Sequence, residues 1–138
     1  MITSEKITEK HPELLELREF KTHKKIIAAF KNGGTMWEVR IWFSKPNHIE
    51  EMKILKIKKN RGNEVVIVEV PNFPNEEHFI SDMQNHPAKA VFTSKERAEK
   101  FFEAAKKAFA EDKEWQTQSD FEFEKDKQLW KGFDNLIY

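Results

Sequence analysis

The chain contains no cysteine. Disulfides, thiolate zinc sites and cysteine nucleophiles are therefore excluded, and a reducing compartment suits the composition. No apolar run approaches the ~18 residues that a membrane span needs. The opening stretch MITSEKITEKHPELLELREF has no apolar core of a secretory signal. A cytoplasmic protein with no membrane partner is the expectation. Internal repeats and low-complexity segments are missing too. So are short catalytic signatures: there is no G-x-S-x-G elbow and no pair of histidines at the zincin spacing. Asn32-Gly33-Gly34 is too short a glycine pattern for a phosphate loop.

What remains is a chain of 138 residues, read as a single domain over 1–138 and long enough to bury a core. Its apolar share, 38%, is low and its charged share, 35%, is high, but twelve Phe and four Trp offset this. A disordered chain does not carry so many large aromatics. A folded, highly charged domain follows.

The zero net charge hides a division. Residues 1–20 hold three basic and five acidic residues, a net of −2. Residues 21–61 hold eleven basic and three acidic residues, a net of +8. Residues 62–138 hold ten basic and sixteen acidic residues, a net of −6. Such asymmetry marks either an anion-binding surface or two regions that neutralise each other in the fold.

Periodicity then suggests the elements. A short helix is expected near residues 11–20, with Pro12 at its start and Glu13 and Glu16 in its first turn. For residues 24–43 two readings compete. One is a helix reaching Gly33. The other, favoured, is a hairpin around Asn32-Gly33-Gly34. Residues 36–43 form the clearest strand. Trp37, Val39, Ile41 and Phe43 share one face, read as core, while Met36, Glu38, Arg40 and Trp42 share the other. Ser44-Lys45-Pro46-Asn47 should break the strand. Two further strands, 52–59 and 64–70, join through Asn60-Arg61-Gly62-Asn63, and the valine-rich second one reads as central. Pro71 and Pro74 should end it, with loops at 47–51 and 75–79, a helical turn near 76–83 and a short strand at 88–92. Thr93 and Glu96 form a capping box for a helix over about 94–111, whose apolar stripe includes Ala98, Phe101, Phe102, Ala105, Ala108 and Phe109. Residues 120–124, DFEFE, read as a last turn of strand, and Leu129, Trp130, Phe133, Leu136 and Ile137 then follow helical spacing. The fold class is α+β: an antiparallel sheet of four to five strands with one amphipathic helix packed across it, plus short N- and C-terminal helical segments. Ile41, Phe43, Val66, Val68, Phe101, Phe102, Ala105 and Phe109 should form its core.

Acid–base chemistry needs positioned carboxylates or an oriented histidine. Glu50, Glu51, Glu76, Glu77 and Asp82 show no telling spacing. His48-Ile49-Glu50-Glu51 and Glu76-Glu77-His78 are the only ligand-like clusters, and each reads as ordinary loop charge. No catalytic residue, metal or cofactor is assigned, and a small metal-dependent hydrolase ranks last among the functions.

The sharper signal is basic and aromatic. Arg40 and Trp42 share a strand face; Lys53, Lys56, Lys58 and Lys59 follow on the next arm, with Arg61 at its turn. A basic groove with stacking aromatics suits single-stranded DNA or RNA. Lysines on an edge strand also prevent sheet-to-sheet aggregation. The element order over about residues 35–110, several strands and then one amphipathic helix, resembles that of whirly-like and Pur-like single-stranded nucleic-acid-binding units, with no motif matched residue by residue. Trp and Arg are equally favoured anchors between proteins, and the neutral balance is unlike most nucleic-acid binders. Phe73, Trp115 and Trp130 are further possible anchors. The expected function is a non-catalytic binding or regulatory protein, an adaptor or inhibitor whose partner is another protein, with single-stranded nucleic acid as the alternative.

Overall fold

The computed structural model describes the backbone of residues 4–60, 62–70, 73–80 and 86–137. Three short helices come first: α1 (Ser4–Lys10), α2 (Glu13–Glu16) and α3 (His23–Ala29). Strands β1 (Gly34–Trp42), β2 (Lys45–Asn60), β3 (Asn63–Val70), β4 (Phe73–Ile80) and β5 (Ala90–Phe92) follow, then α4 (Lys95–Glu111) and α5 (Lys113–Ile137). The strands form one antiparallel sheet in the order β4-β3-β2-β1-β5. The α+β class and the antiparallel sheet agree with the sequence reading.

Alternation along β1 is real, but both of its faces are covered. On one side Val39, Ala90 and Phe92 meet Ala98, Phe101, Ala105 and Ala108 of α4, with Ile7, Leu14 and Trp115 closing the cluster. On the other side Met36, Met52, Ile54, Val66, Val68 and Val91 lie under Ile26 of α3, under Phe30 at its C-cap and under Phe20. The sheet is thus the middle layer of three. The expected single core is corrected to two: Val66 and Val68 belong to the α3 side, Phe101 and Ala105 to the α4 side. Met36 and Glu38, expected outward, are both buried, Met36 in the cluster that α3 covers. The Glu38 carboxylate keeps a partner there, accepting from Arg40 Nε at 2.8 Å.

Several local expectations fail for identifiable reasons. Asn32-Gly33-Gly34 ends a helix and does not turn a hairpin. Thr22 caps α3 by accepting from the Lys25 amide, and Gly33, at φ 87°, donates its N–H to the Phe30 carbonyl. The loop at 47–51 is strand, because β2 starts directly after a two-residue turn. The expected loop at 75–79 and helical turn at 76–83 are replaced by β4 as far as Ile80. As an edge strand it tolerates Pro74, whose missing N–H costs no ladder bond. Residues 81–83 lie outside the described residues. The helix cap at α4 is Ser94, accepting from the Arg97 amide, while the Thr93 hydroxyl donates to Glu19 instead. Residues 120–124 are helical. No proline or glycine interrupts the chain from Lys113 to Lys131, so α5 runs as one helix of 25 residues. The C-terminal helical segment is therefore long, where a short one was expected.

Candidate binding surfaces

The hairpin between β1 and β2 closes through Phe43 and Ser44, with Trp42 opposite Lys45. Both turn residues have positive φ, 50° and 61°. This is the backbone of a type I′ turn, which normally takes Asn-Gly or Gly-Gly. A phenylalanine held there costs on the order of 1–3 kcal/mol, so the surroundings must enforce it. Those surroundings come from α5. The fully buried Trp115 donates its indole N–H to the Ser44 carbonyl at 2.7 Å. Phe123 meets the Phe43 ring edge-on at 5.4 Å and the Trp42 ring at 6.3 Å. Lys45 places its ammonium over the Phe109 ring.

This buttress leaves an aromatic ledge. Trp42 is 57% exposed and Phe123 44%. Along α5, Phe121, Leu129 and Trp130 are exposed as well, Leu129 at 72%. The first turns of α5 pack against the body through Trp115 and Ser119, and Glu122 and Asp126 are half-buried. From Lys127 to Gly132 every described side chain is exposed. At about 1.5 Å per residue the helix is roughly 37 Å long, and its described side chains are held by the body only in the earlier turns.

A polar junction anchors the root of α5. Asp112 lies between α4 and α5 and accepts from the Trp115 amide at 3.1 Å, which caps the helix. His11 Nε2 meets its other oxygen at 2.9 Å and Lys10 adds an ion pair. Burial pushes the Asp112 carboxyl up, but the bonds to His11 and the Trp115 amide, with Lys10 nearby, outweigh it and hold the group below its ordinary value. His86 lies on the other side of Trp115, ring centroids 6.1 Å apart. Burial lowers its pKa to about 4, against an opposing pull from Glu122 and in concert with Arg18 and Lys89. Its Nδ1 accepts from the Ala88 amide, while Arg18 donates to its carbonyl at 2.7 Å. The junction pairs a histidine with a carboxylate, yet both groups are engaged in holding α5. The other contacts of the His11 ring are Glu13 and the Trp115 ring, so among the described residues no nucleophile stands beside it.

The basic residues sit elsewhere. β2 pairs with β1 only as far as Ile54, and an irregularity at Leu55 changes the alternation. Lys53, Lys56 and Lys58 consequently share the α4 side of the sheet, and Lys59 the α3 side. Arg40 lies on the α3 side, bonded to Glu38 and touching Met52. Arg40 and Trp42 therefore do not join Lys56 and Lys58 in one patch. Lys59 stands 14 residues along β2 from Lys45, the partner of Trp42, on the order of 40 Å of strand at ~3.3 Å per residue. Arg61 lies outside the described residues. What the structure does assemble is a cleft between α3 and the β2–β3 hairpin, about 830 Å³, which Lys24, Lys31, Lys58 and Lys59 line together with His23.

His48 and Glu50, suspected as ligands, do pair at 2.9 Å on β2, while Glu51 faces the other side of the sheet. No group of three or more His, Asp or Glu side chains that could hold a metal occurs among the described residues. The side chains of Phe73 and of Glu76, Glu77 and His78, like Asp82, lie outside the described ones. No helix is long and apolar enough to cross a membrane among the described residues. The His11–Asp112 pair and the α3 cleft were missed by sequence reasoning. The first spans 101 residues. For the second, Lys24, Ile27, Ala28 and Lys31 at helical spacing were a usable signal. Comparison with family models, curated proteins and solved structures finds no match.

Proposed function

We propose that this is a non-catalytic binding protein, an adaptor or inhibitor that docks another protein through the aromatic ledge of Trp42, Phe123 and the outer half of α5. The observation that carries this reading is the run of exposed side chains from Lys127 to Gly132, with Leu129 and Trp130 among them. An amphipathic helix presented this way suits a partner's hydrophobic groove, and tryptophan is the side chain most often found as an anchor there. Acids (Asp120, Glu124, Asp126) and lysines (Lys125, Lys127, Lys131) alternate around the ledge, so its apolar side chains rather than a net charge would select the groove.

Relative to the sequence reading, the proposal keeps Trp42 and moves the surface from the lysine-bearing strand to α5. Single-stranded nucleic acid is less well supported on the original surface, because stacking aromatics and lysines no longer share a groove. The test compares proteins co-purifying with the wild type and with the Leu129→Ser/Trp130→Ser variant. Both substitutions are on exposed positions, so the fold should survive, as circular dichroism would verify. A partner recovered only by the wild type, and restored by Leu129→Met/Trp130→Phe, supports the reading. Identical partner sets overturn it.

A further inference from the structure

The cleft between α3 and the β2–β3 hairpin has no part in the ledge and shares no residue with it. Its walls follow from two periodicities. Lys24, Ile27, Ala28 and Lys31 are spaced i, i+3, i+4 and i+7, so they line one side of α3 and its exit, while Ile26 and Phe30 turn to the core. On the facing hairpin, Ile57 and Lys59 alternate onto the α3 side of β2, and Glu64 stands opposite Lys59 on β3. Gly62 closes the end at φ 84°, and Lys58 also contributes to the lining. His23 ties the walls together, with Nε2 at 3.3 Å from the Glu64 carbonyl. The buried Nδ1 of the same ring has no hydrogen-bond partner.

The electrostatics are one-sided. Lys24, Lys31 and Lys59 bring three ammonium groups to the cleft, and Glu64 is the single acid among the lining residues. Lys24, Lys31 and Lys59 make no ion pair among the described residues. Like charges held on two facing elements repel, and a polyanion placed between them converts that repulsion into attraction. The volume, about 830 Å³, is that of a small-ligand site. Ile27, Ala28 and Ile57 supply an apolar floor, but no Phe, Tyr or Trp is among the lining residues, so there is no platform on which a base could stack.

We propose that this cleft binds the phosphate groups of a polyphosphorylated ligand. Lysines act as point charges and suit phosphate without demanding the planar fork of a carboxylate. Several lysines spread over two walls call for several phosphates in a row. A free polyphosphate and a nucleic-acid backbone both present them, and in neither case does the cleft read bases.

The test is a calorimetric titration of the full chain with inorganic tripolyphosphate at low salt. It is repeated with the Lys24→Ala/Lys31→Ala variant and with a control, Lys100→Ala/Lys107→Ala, which removes two exposed lysines of α4 on the opposite side of the sheet. Saturable binding is expected, at least tenfold weaker in the cleft variant and within twofold of wild type in the control. A second cleft variant, Lys59→Ala, should also weaken it, so that a folding defect in α3 alone cannot mimic the result. Labelled (dT)12 and (dA)12 separate the sources. Equal binding of both, displaced by tripolyphosphate, identifies a nucleic-acid backbone. Failure of both to bind, with tripolyphosphate bound, identifies a free polyphosphate. Absence of tripolyphosphate binding, equal loss in the control, or hexaglutamate binding as tightly as tripolyphosphate would each overturn the proposal.

Discussion

At one end of β2 the chain turns through Phe43 and Ser44; at the other it turns around Gly62. Both turns use positive φ, yet only the second places a residue there that accepts it freely. The first is imposed from outside. Trp115 holds the Ser44 carbonyl, and Phe123 braces the Phe43 ring. Gly62 has open space around its Cα and needs no such brace. The difference extends to chemistry. The braced end carries aromatics and a helix with an exposed outer stretch, while the glycine end carries lysines and a cleft. A turn with glycine at its positive-φ position can stand apart from the body and form a wall. A turn that must be forced has to sit against something, and here that contact gathers Trp42, Phe43 and Phe123 in one place.

The comparison breaks most completely if the brace is removed. Trp115→Ala deletes a fully buried indole and its bond to Ser44, and should cost about 3–5 kcal/mol in urea unfolding. Amide exchange should accelerate at residues 42–46 well before it does at 58–64. Equal acceleration at both turns would show that the brace is not local.

Acid should act at the same end. His86 is held neutral, with its pKa lowered from 6.5 to about 4. Between those values the unfolded chain binds the proton that the folded one refuses. Stability is therefore lost as pH falls from 6.5 towards 4, by up to about 3 kcal/mol. His86→Asn keeps an acceptor for the Ala88 amide and should flatten that slope. Asp112 works lower down. Its depressed pKa contributes stability above its ordinary value of 3.8, and that contribution disappears as pH falls below it. A variant that retains the full slope between pH 6.5 and 4 would acquit His86.

Smaller effects sharpen the contrast from the turn residues themselves. Gly62→Ala places a Cβ at φ 84° and should destabilise by about 1 kcal/mol, read as a lower urea midpoint. Ser44→Gly goes the other way. It removes a side chain from φ 61° while leaving the carbonyl that Trp115 uses, and should stabilise by about 0.5 kcal/mol. Opposite signs for the two substitutions are the signature of one permissive and one enforced turn.

Elements with a strong period were legible in the sequence. Val39, Val66 and Val68 announced their strands, and Phe101, Ala105 and Ala108 their helix. The third layer was not legible, because α3 has only seven residues and shows one apolar step, Ile26 to Phe30. The glycine pair that follows it is as good a turn signal as a helix stop. For the candidate site, the lysine arm was recognised but its facing was not. A single irregularity at Leu55 inverts the side taken by Lys56 and Lys58 relative to plain alternation. Pairings such as Trp115 with Ser44 cross 71 residues. No local pattern encodes them, since they depend on how the sheet and α5 come together.

The forced turn also sets an order of assembly. A hairpin that closes on Phe43 and Ser44 cannot form early on its own local preference, whereas the β2–β3 hairpin can. The contact that secures the first hairpin arrives with Trp115, from far along the chain. During synthesis β1 and β2 leave the ribosome well before their lock exists, and must wait for α5 to emerge. The chain should therefore begin folding from its second hairpin, and the first to be made should be among the last to be secured.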